Sequence, residues 1–368
     1  MKEINIAKKI IEKRKERGIT QEDLASYVGV SKASVSKWET GQSYPDITIL
    51  PVLATFFDIS VDELLGYSPQ LTREAIHEVY ISLSEQFVNE GYIKTLEVSE
   101  KISKKYYSCF ELQLQLAILY LNYGIGAPTE ELKNLMIARI IDISKRIKEE
   151  SGDPLLMRNA NSLEATANLV LSKALEVVEL LEDTMVPAQA DEVVLANAYL
   201  MLGKTDKAIE TLQFRIYENV MHIINELSSY IMLFITEKDR FEEIKKRTLQ
   251  IADAFELEKL NPNMMVNFYY IIATAYVQQG QTEAAIDYLN QYVSVCKSFE
   301  FPARLQGDEF FDMVENKFDL FDLGTVSPRD EKSVKASMIA AIKDNPIFIG
   351  IKEQSEFKNM IKQLELLQ

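Results

Sequence analysis

Apolar residues recur at helical spacing along almost the whole of the 368-residue chain. In the first stretch they fall at Ile4, Ile6, Ala7, Ile10 and Ile11. That pattern predicts one helix over Ile4–Arg17, with Gly18 as its left-handed C-terminal cap. Thr20 predicts the N-cap of a second helix over Gln21–Val28. Asp23 stands at the reciprocal capping-box position, where Glu or Gln is the usual choice. Gly29 ends that helix, Ser31 caps a third over Lys32–Glu39, and Gly41 stops it. Pro45-Asp46 opens a fourth over Ile47–Phe57, and Ser60 a fifth through Leu65. Two short helices separated by a Gly-containing turn make a helix-turn-helix. Ala25 is small where they cross, and Val35 and Trp38 turn one face of the third helix to the core. Trp38 is therefore a core residue and no stacking platform. The opposite face shows Lys32, Ala33, Ser36 and Lys37. It is short, polar and positive, and suits a major groove about 12 Å wide.

Six features stand in register over these residues: Gly18-Ile-Thr-Gln-Glu-Asp-Leu-Ala25, Val30-Ser, Val35-Ser-Lys-Trp-Glu39, Gly41, Pro45-Asp46 and Val61-Asp-Glu-Leu-Leu65. The stretch from about 4 to 66 resembles the lambda-repressor-like (Xre/Cro) helix-turn-helix family. The resemblance implies a five-helix DNA-binding domain over 1–66. By it Gln21 binds a phosphate and braces the recognition helix, and Lys32, Ala33, Ser36 and Lys37 face base edges. Thr40 and Gln42 meet backbone phosphates, and Arg14 and Glu39 form an ion pair between the first and third helices. Ala33 departs from the polar base reader common at its position, leaving contact with a thymine methyl. Lys32 and Lys37 select among bases less sharply than Arg would, so moderate direct readout is expected.

Gly66-Tyr-Ser-Pro-Gln-Leu-Thr72 is rich in turn residues, and a linker is expected over 67–73. From 74 to 368 helical periodicity continues between Gly and Pro breakers. Leu195–Leu212 and Ile272–Leu289 align with each other, with Ala, Tyr, Gly and Ala at identical offsets: 196/273, 199/276, 203/280 and 208/285. These segments resemble the tetratricopeptide repeat. Small residues let the helices of each hairpin approach, the Tyr fills the gap between them, and the Gly makes the turn. The copies lie 77 residues apart, which predicts a degenerate repeat between them around Tyr230–Leu257. The fold class expected is thus all-α, a helix-turn-helix head followed by an α-solenoid of helical hairpins. Such a solenoid has a concave groove, which in the repeat family is lined by the first helix of each hairpin. By that register Asn197, Met201, Asn267, Tyr270 and Thr274 are candidate peptide contacts, with Val193, Leu200, Val277 and Gln278 nearby. A carboxamide can bond a peptide's N–H and C=O together; Asn197 and Asn267 facing only solvent or a neighbouring turn is the bland alternative.

Charge sharpens the division. Residues 1–45 carry nine Lys/Arg and six Asp/Glu, a net of +3; the rest of the chain carries 31 and 50, a net of −19. A weakly basic head on an acidic body fits a DNA-binding head whose body does not touch DNA. Apolar residues make up 47%, enough for a core. No apolar run reaches membrane-spanning length, and the charged start is unlike a secretory signal. Cys109 and Cys296 stand alone, which excludes a disulfide scaffold or Cys-based zinc module. A cytoplasmic location is the resulting expectation. His77 and His222 have no metal-spaced partner, and Gly203-Lys-Thr205 lacks the preceding strand and first glycine of a phosphate loop. The acidic run Asp308–Asp322 reads as an amphipathic helix with a solvated face. No cofactor, metal or catalytic constellation is expected.

The expected function is therefore a transcriptional regulator of double-stranded DNA, dimeric, without membrane contact. The architecture resembles Gram-positive regulators that join this head to tetratricopeptide repeats and often respond to a short peptide. A short peptide or partner protein in the groove is the expectation that resemblance adds. The alternative is a protein-binding scaffold with the head as a secondary or relic module.

Overall fold

Local capping decides how the head begins. The computed structural model describes residues 6–66, 70–184, 191–320, 325 and 327–367. α1 (Ile6–Glu16) buries Ile6 and Ile10; Ile4 lies outside the described residues. α2 (Gln21–Val28) opens on a complete capping box, the Thr20 hydroxyl accepting from the Asp23 amide and the Asp23 carboxylate from the Thr20 amide. α3 (Lys32–Glu39) is capped by Ser31, which accepts from the Ser34 amide. α4 (Leu50–Phe57) starts three residues later than expected. The Asp46 carboxylate takes the Thr48 amide at 2.9 Å and hydroxyl at 2.6 Å, holding 46–49 as a turn. α5 (Val61–Leu65) comes after the Ser60 cap. The five helices share one core, centred on Ile10, Leu24, Val35, Trp38, Leu53 and Leu64.

Of the expected linker, Tyr67–Pro69 lie outside the described residues, and Arg73 is already the first residue of α6 (Arg73–Asn89). Then come α7 (Tyr92–Lys105), α8 (Phe110–Gly124), α9 (Glu130–Glu150), α10 (Pro154–Val170) and α11 (Ala174–Leu181). From α8 to α11 each helix packs on the next. α8 is enclosed on nearly every side, and its buried Gln113 amide donates to the Ser103 and Tyr106 carbonyls. A second core holds Tyr80, Leu116, Met136, Ile140 and Ile147 among others, whereas α11 has no buried residue.

α12 (Asp191–Met201) and α13 (Thr205–Met232) form the first repeat hairpin around Gly203, at φ 69°. α14 (Lys238–Ala254) and the short α15 (Leu257–Leu260) lead to the second hairpin, α16 (Pro262–Gln278) and α17 (Thr282–Ser298), around Gly280 at φ 74°. The intermediate repeat takes a different form from the expected hairpin over Tyr230–Leu257. No Gly or Pro occurs between Lys204 and Asn261, so α13 runs unbroken for 28 residues. Its first half pairs with α12, and its second half joins the third core beside α14 and α16.

The acidic run also departs from expectation. Its apolar side is buried at Phe311, Val314 and Phe318, but Val314–Leu320 forms a 3₁₀ turn. Asp308 accepts from the Phe310 and Phe311 amides, and Glu315 from the Gly307 amide, folding the segment back. α18 (Glu331–Lys343) and α19 (Ser355–Glu365) complete the third core. Just before α18 the chain returns to the second core. Tyr80 donates to the Pro328 carbonyl at 3.1 Å and Tyr123 to the Asp330 carboxylate at 3.3 Å. No helix among the described residues is long and apolar enough to cross a membrane.

Candidate nucleic-acid interface

A three-way polar knot holds α3. Arg14 on α1 donates to both oxygens of Glu39 at the end of α3, at 2.6 and 3.1 Å, and to the Ile19 carbonyl at 2.7 Å. Gln21, first on α2, donates its amide to Glu39 Oε2 at 2.8 Å. Burial pushes the Glu39 carboxyl up, but hydrogen bonds from Arg14 and Gln21 outweigh it and hold the group below the ordinary carboxylate range. A bidentate Arg–carboxylate pair fixes orientation as well as distance. The knot therefore fixes α3 against both preceding helices, and Gln21 is one of its members.

With Val35 and Trp38 buried, the outer face of α3 is set. Lys32, Ala33 and Lys37 are exposed and Ser36 is half-buried. Lys32 reaches back to Glu22 on α2 at 3.1 Å. Both side chains are largely solvated, so this pair is weak and easily exchanged for another anion. Beyond α3, Thr40 and Gln42 are exposed. The Thr40 hydroxyl donates to the Ser36 carbonyl at 2.9 Å, and the Gln42 amide to the Lys37 carbonyl at 2.9 Å, which closes the α3 end into a defined loop. Tyr44, in the same loop, is also exposed.

The repeat candidates differ in exposure. Asn197 and Met201 are exposed on α12, and Asn267 on α16. Tyr270 is half-buried, its hydroxyl accepting from the Asn345 amide at 2.5 Å and its ring 6.2 Å from Phe348. Thr274 is buried and donates to the Ile271 carbonyl at 2.8 Å. The 3₁₀ turn Pro346–Phe348 thus lies against α16 at Tyr270. Among the described residues no cluster of His, Cys, Asp and Glu could hold a metal ion.

A family model described as helix-turn-helix matches residues 10–64, and one described as tetratricopeptide repeat matches 266–299. The HTH-type transcriptional activator BcrR of Enterococcus faecalis is 38% identical over 64 residues, 17% of this chain and 31% of that protein. The chain thus spans under a third of that relative's length. The uncharacterized HTH-type transcriptional regulator YobD of Bacillus subtilis strain 168 is 31% identical over 96 residues, 25% of this chain and 83% of that protein. Two solved structures align along most of the chain. The apo competence regulator ComR from Streptococcus vestibularis has 13% identity and a TM-score of 0.28, over 86% of this chain and 98% of that one. Bacillus thuringiensis PlcR, in complex with the peptide PapR7 and DNA, has 17% identity and a TM-score of 0.25, over 97% and 99%. Superpositions at those scores carry no residue-by-residue correspondence.

Proposed function

The chain belongs to the helix-turn-helix transcriptional regulators, and from that premise we propose that it reads operator DNA with α3 in the major groove. The observation that carries the reading is the outer face of α3, exposed at Lys32, Ala33 and Lys37 while Glu39 is locked to Arg14 and Gln21. A rigid helix with a free polar face meets base edges at low entropic cost. Thr40 and Gln42 flank the backbone, and Gln21 serves the brace and a phosphate together. One such domain covers little DNA, so two copies on half-sites about one helical turn apart are the natural arrangement. The acidic body keeps the rest of the chain off the duplex.

The repeats are the regulatory half of this proposal. The exposed carboxamides of Asn197 and Asn267, with Met201, are offered to an extended peptide or partner segment. Tyr270 and Thr274, on α16 itself, are half-buried and buried, and serve the packing of that helix. The test on DNA is fluorescence anisotropy with the region upstream of the chain's own gene, at two salt concentrations. Wild type is expected to bind with a steep salt dependence, and the Lys32→Ala/Lys37→Ala variant to lose that binding with its helicity intact. Equal binding by both proteins would overturn the reading. For the repeats, Asn197→Ala/Asn267→Ala is expected to abolish any peptide-induced change in DNA affinity, and an unchanged response would remove the groove from the proposal.

A further inference from the structure

The body is built as two halves that pack separately. α6–α11 gather around the second core, and α12–α19 around the third. Among the described residues the extensive helix–helix contacts fall within one half or the other. In a continuous solenoid each hairpin buries a face on the next. Here that stacking lapses at the seam: α11 has no buried residue and α12 buries only Ala196. Leu175 and Val178 on one side of it, and Val194 and Leu195 on the other, stay exposed. The head joins through the first half, where Leu71 packs on the second core and the Gln70 amide donates to the Ser108 carbonyl at 3.1 Å. Both repeat hairpins lie in the other half.

The halves meet at Pro328–Asp330, far along the chain from that seam. The Tyr80 hydroxyl on α6 donates to the Pro328 carbonyl at 3.1 Å and accepts from the Asn122 amide on α8 at 2.9 Å. The Tyr123 hydroxyl on α8 donates to Asp330 Oδ2 at 3.3 Å and lies against the Ser84 hydroxyl. Burial pushes both phenols up, so each stays a donor at neutral pH. On the other side, Asp330 Oδ1 accepts from the Ser333 amide at 2.8 Å as the cap of α18. Arg329 donates to the Ser333 carbonyl at 3.1 Å and to the Ser337 hydroxyl at 2.8 Å. Tyr292 of α17 in turn donates to the Met338 carbonyl of α18 at 2.7 Å. Residues 328–330 are therefore tied to α18, and α18 to the third core. The joint itself is polar: two hydroxyls meet a carbonyl and a carboxylate. Arg329 Nε is buried there without a hydrogen-bond partner, so closure leaves one group unsatisfied. Hydrogen bonds of this kind exchange for water at small net cost, so the joint can open with both cores intact.

We propose that these contacts form a clasp, a reversible polar joint that holds the two halves in one relative arrangement and so fixes where the head stands relative to the repeats. Its consequence for DNA rests on the function proposed above: a change in the repeat half reaches the head through this joint as well as along the chain. Closed and open arrangements differ in named contacts, which gives the joint two states that a distant site can bias.

Spin labels at Lys101→Cys in α7 and Asn359→Cys in α19, both exposed positions, read the distance between the halves by pulsed electron resonance. Cys109 and Cys296 are buried and leave the labelling to the introduced thiols. The labelled full chain is expected to give one narrow distribution. Tyr80→Phe/Tyr123→Phe, which keeps both rings, is expected to broaden it or move it by several ångströms, and to split urea unfolding into two transitions. Tyr120→Phe is the control. Tyr120 is as deeply buried in the same core, but its hydroxyl lies 2.8 Å from Ser99 within that half, and the distribution is expected to stay as in the parent. An unchanged distribution in the double variant overturns the proposal. So does an equal change in Tyr120→Phe, which would mean a softened core. If the double variant loses helicity, Tyr80→Phe alone decides, by the same two outcomes. Affinity for the upstream DNA is expected to change at least about fivefold in the double variant and to stay unchanged in Tyr120→Phe. A shifted distribution with unchanged affinity overturns the clasp's hold on the head. Absence of DNA binding by the parent is failure of the DNA reading, and the distances still decide the clasp.

Discussion

The two repeat copies share four residues at the same offsets and have different surroundings. In both, the small residues do the same work: Ala196 and Ala208 in the first, Ala273 and Ala285 in the second, are all buried. In both, the glycine takes a left-handed conformation that closes the hairpin. The tyrosines part company. Tyr276 is buried between Phe241 of α14 and Tyr288 of α17, donates to Glu242 at 2.6 Å, and accepts from Lys245. Tyr199 is half-buried, with Lys207 of its own hairpin 6.0 Å from its ring. α16 buries nine residues and α12 one. The difference lies in the neighbours of each hairpin. The second has α13 and α15 against α16 and the C-terminal helix α19 against α17, whereas α12 packs chiefly on its own partner α13. A repeat motif specifies a hairpin, and the neighbours specify whether that hairpin has a core.

The largest expected effect separates the copies by their aromatics. Tyr276→Ala should destabilise the third core by about 3–5 kcal/mol and Tyr199→Ala by less than about 1 kcal/mol, read from urea midpoints. Equal losses would break the comparison. Next in size is the polar cluster that only the second copy has. Burial pushes the Glu242 carboxyl up, but hydrogen bonds from Lys245 and Tyr276 outweigh it, so the folded pKa lies below the unfolded one. The stability this contributes is fully present above the ordinary carboxylate range and is lost as pH falls through the depressed value. Glu242→Gln should cost about 1 kcal/mol at neutral pH, since the group is partly solvated. Thermal melts from pH 7 to 3 should then fall less steeply in the variant than in wild type. The smallest effect sharpens what the copies share. Gly203→Ala and Gly280→Ala should each lose about 1 kcal/mol, because both glycines have positive φ and open space at the Cβ position. A clear gap between these two variants would show that the turns, and not only their surroundings, differ.

The head is largely legible in the sequence. Thr20, Ser31 and Ser60 announce helix starts, and Gly18, Gly29, Gly41 and Gly66 announce ends, because capping is a matter of a few adjacent residues. The inward Val35 and Trp38 fix which side of α3 faces out. The start of α4 is less legible, because Asp46 forms a local turn with Thr48 that competes with helix. The Gln21–Glu39 bond joins residues 18 apart, and no spacing rule points to it.

In the repeats the same logic runs out sooner. Hairpin positions, their small contacts and their glycine turns come from short-range pattern, and so does the net charge that divides head from body. The cover over Tyr270 has another origin: it comes from Asn345 and Phe348, more than 70 residues away. α13 shows the same limit: Ile216 and Ile223 stay partly exposed beside the buried Ile224 and Ile231. Periodicity states that a face is apolar. Which neighbour covers that face is settled only when distant segments compete for the same surface, and that competition is decided by chain path and packing in three dimensions.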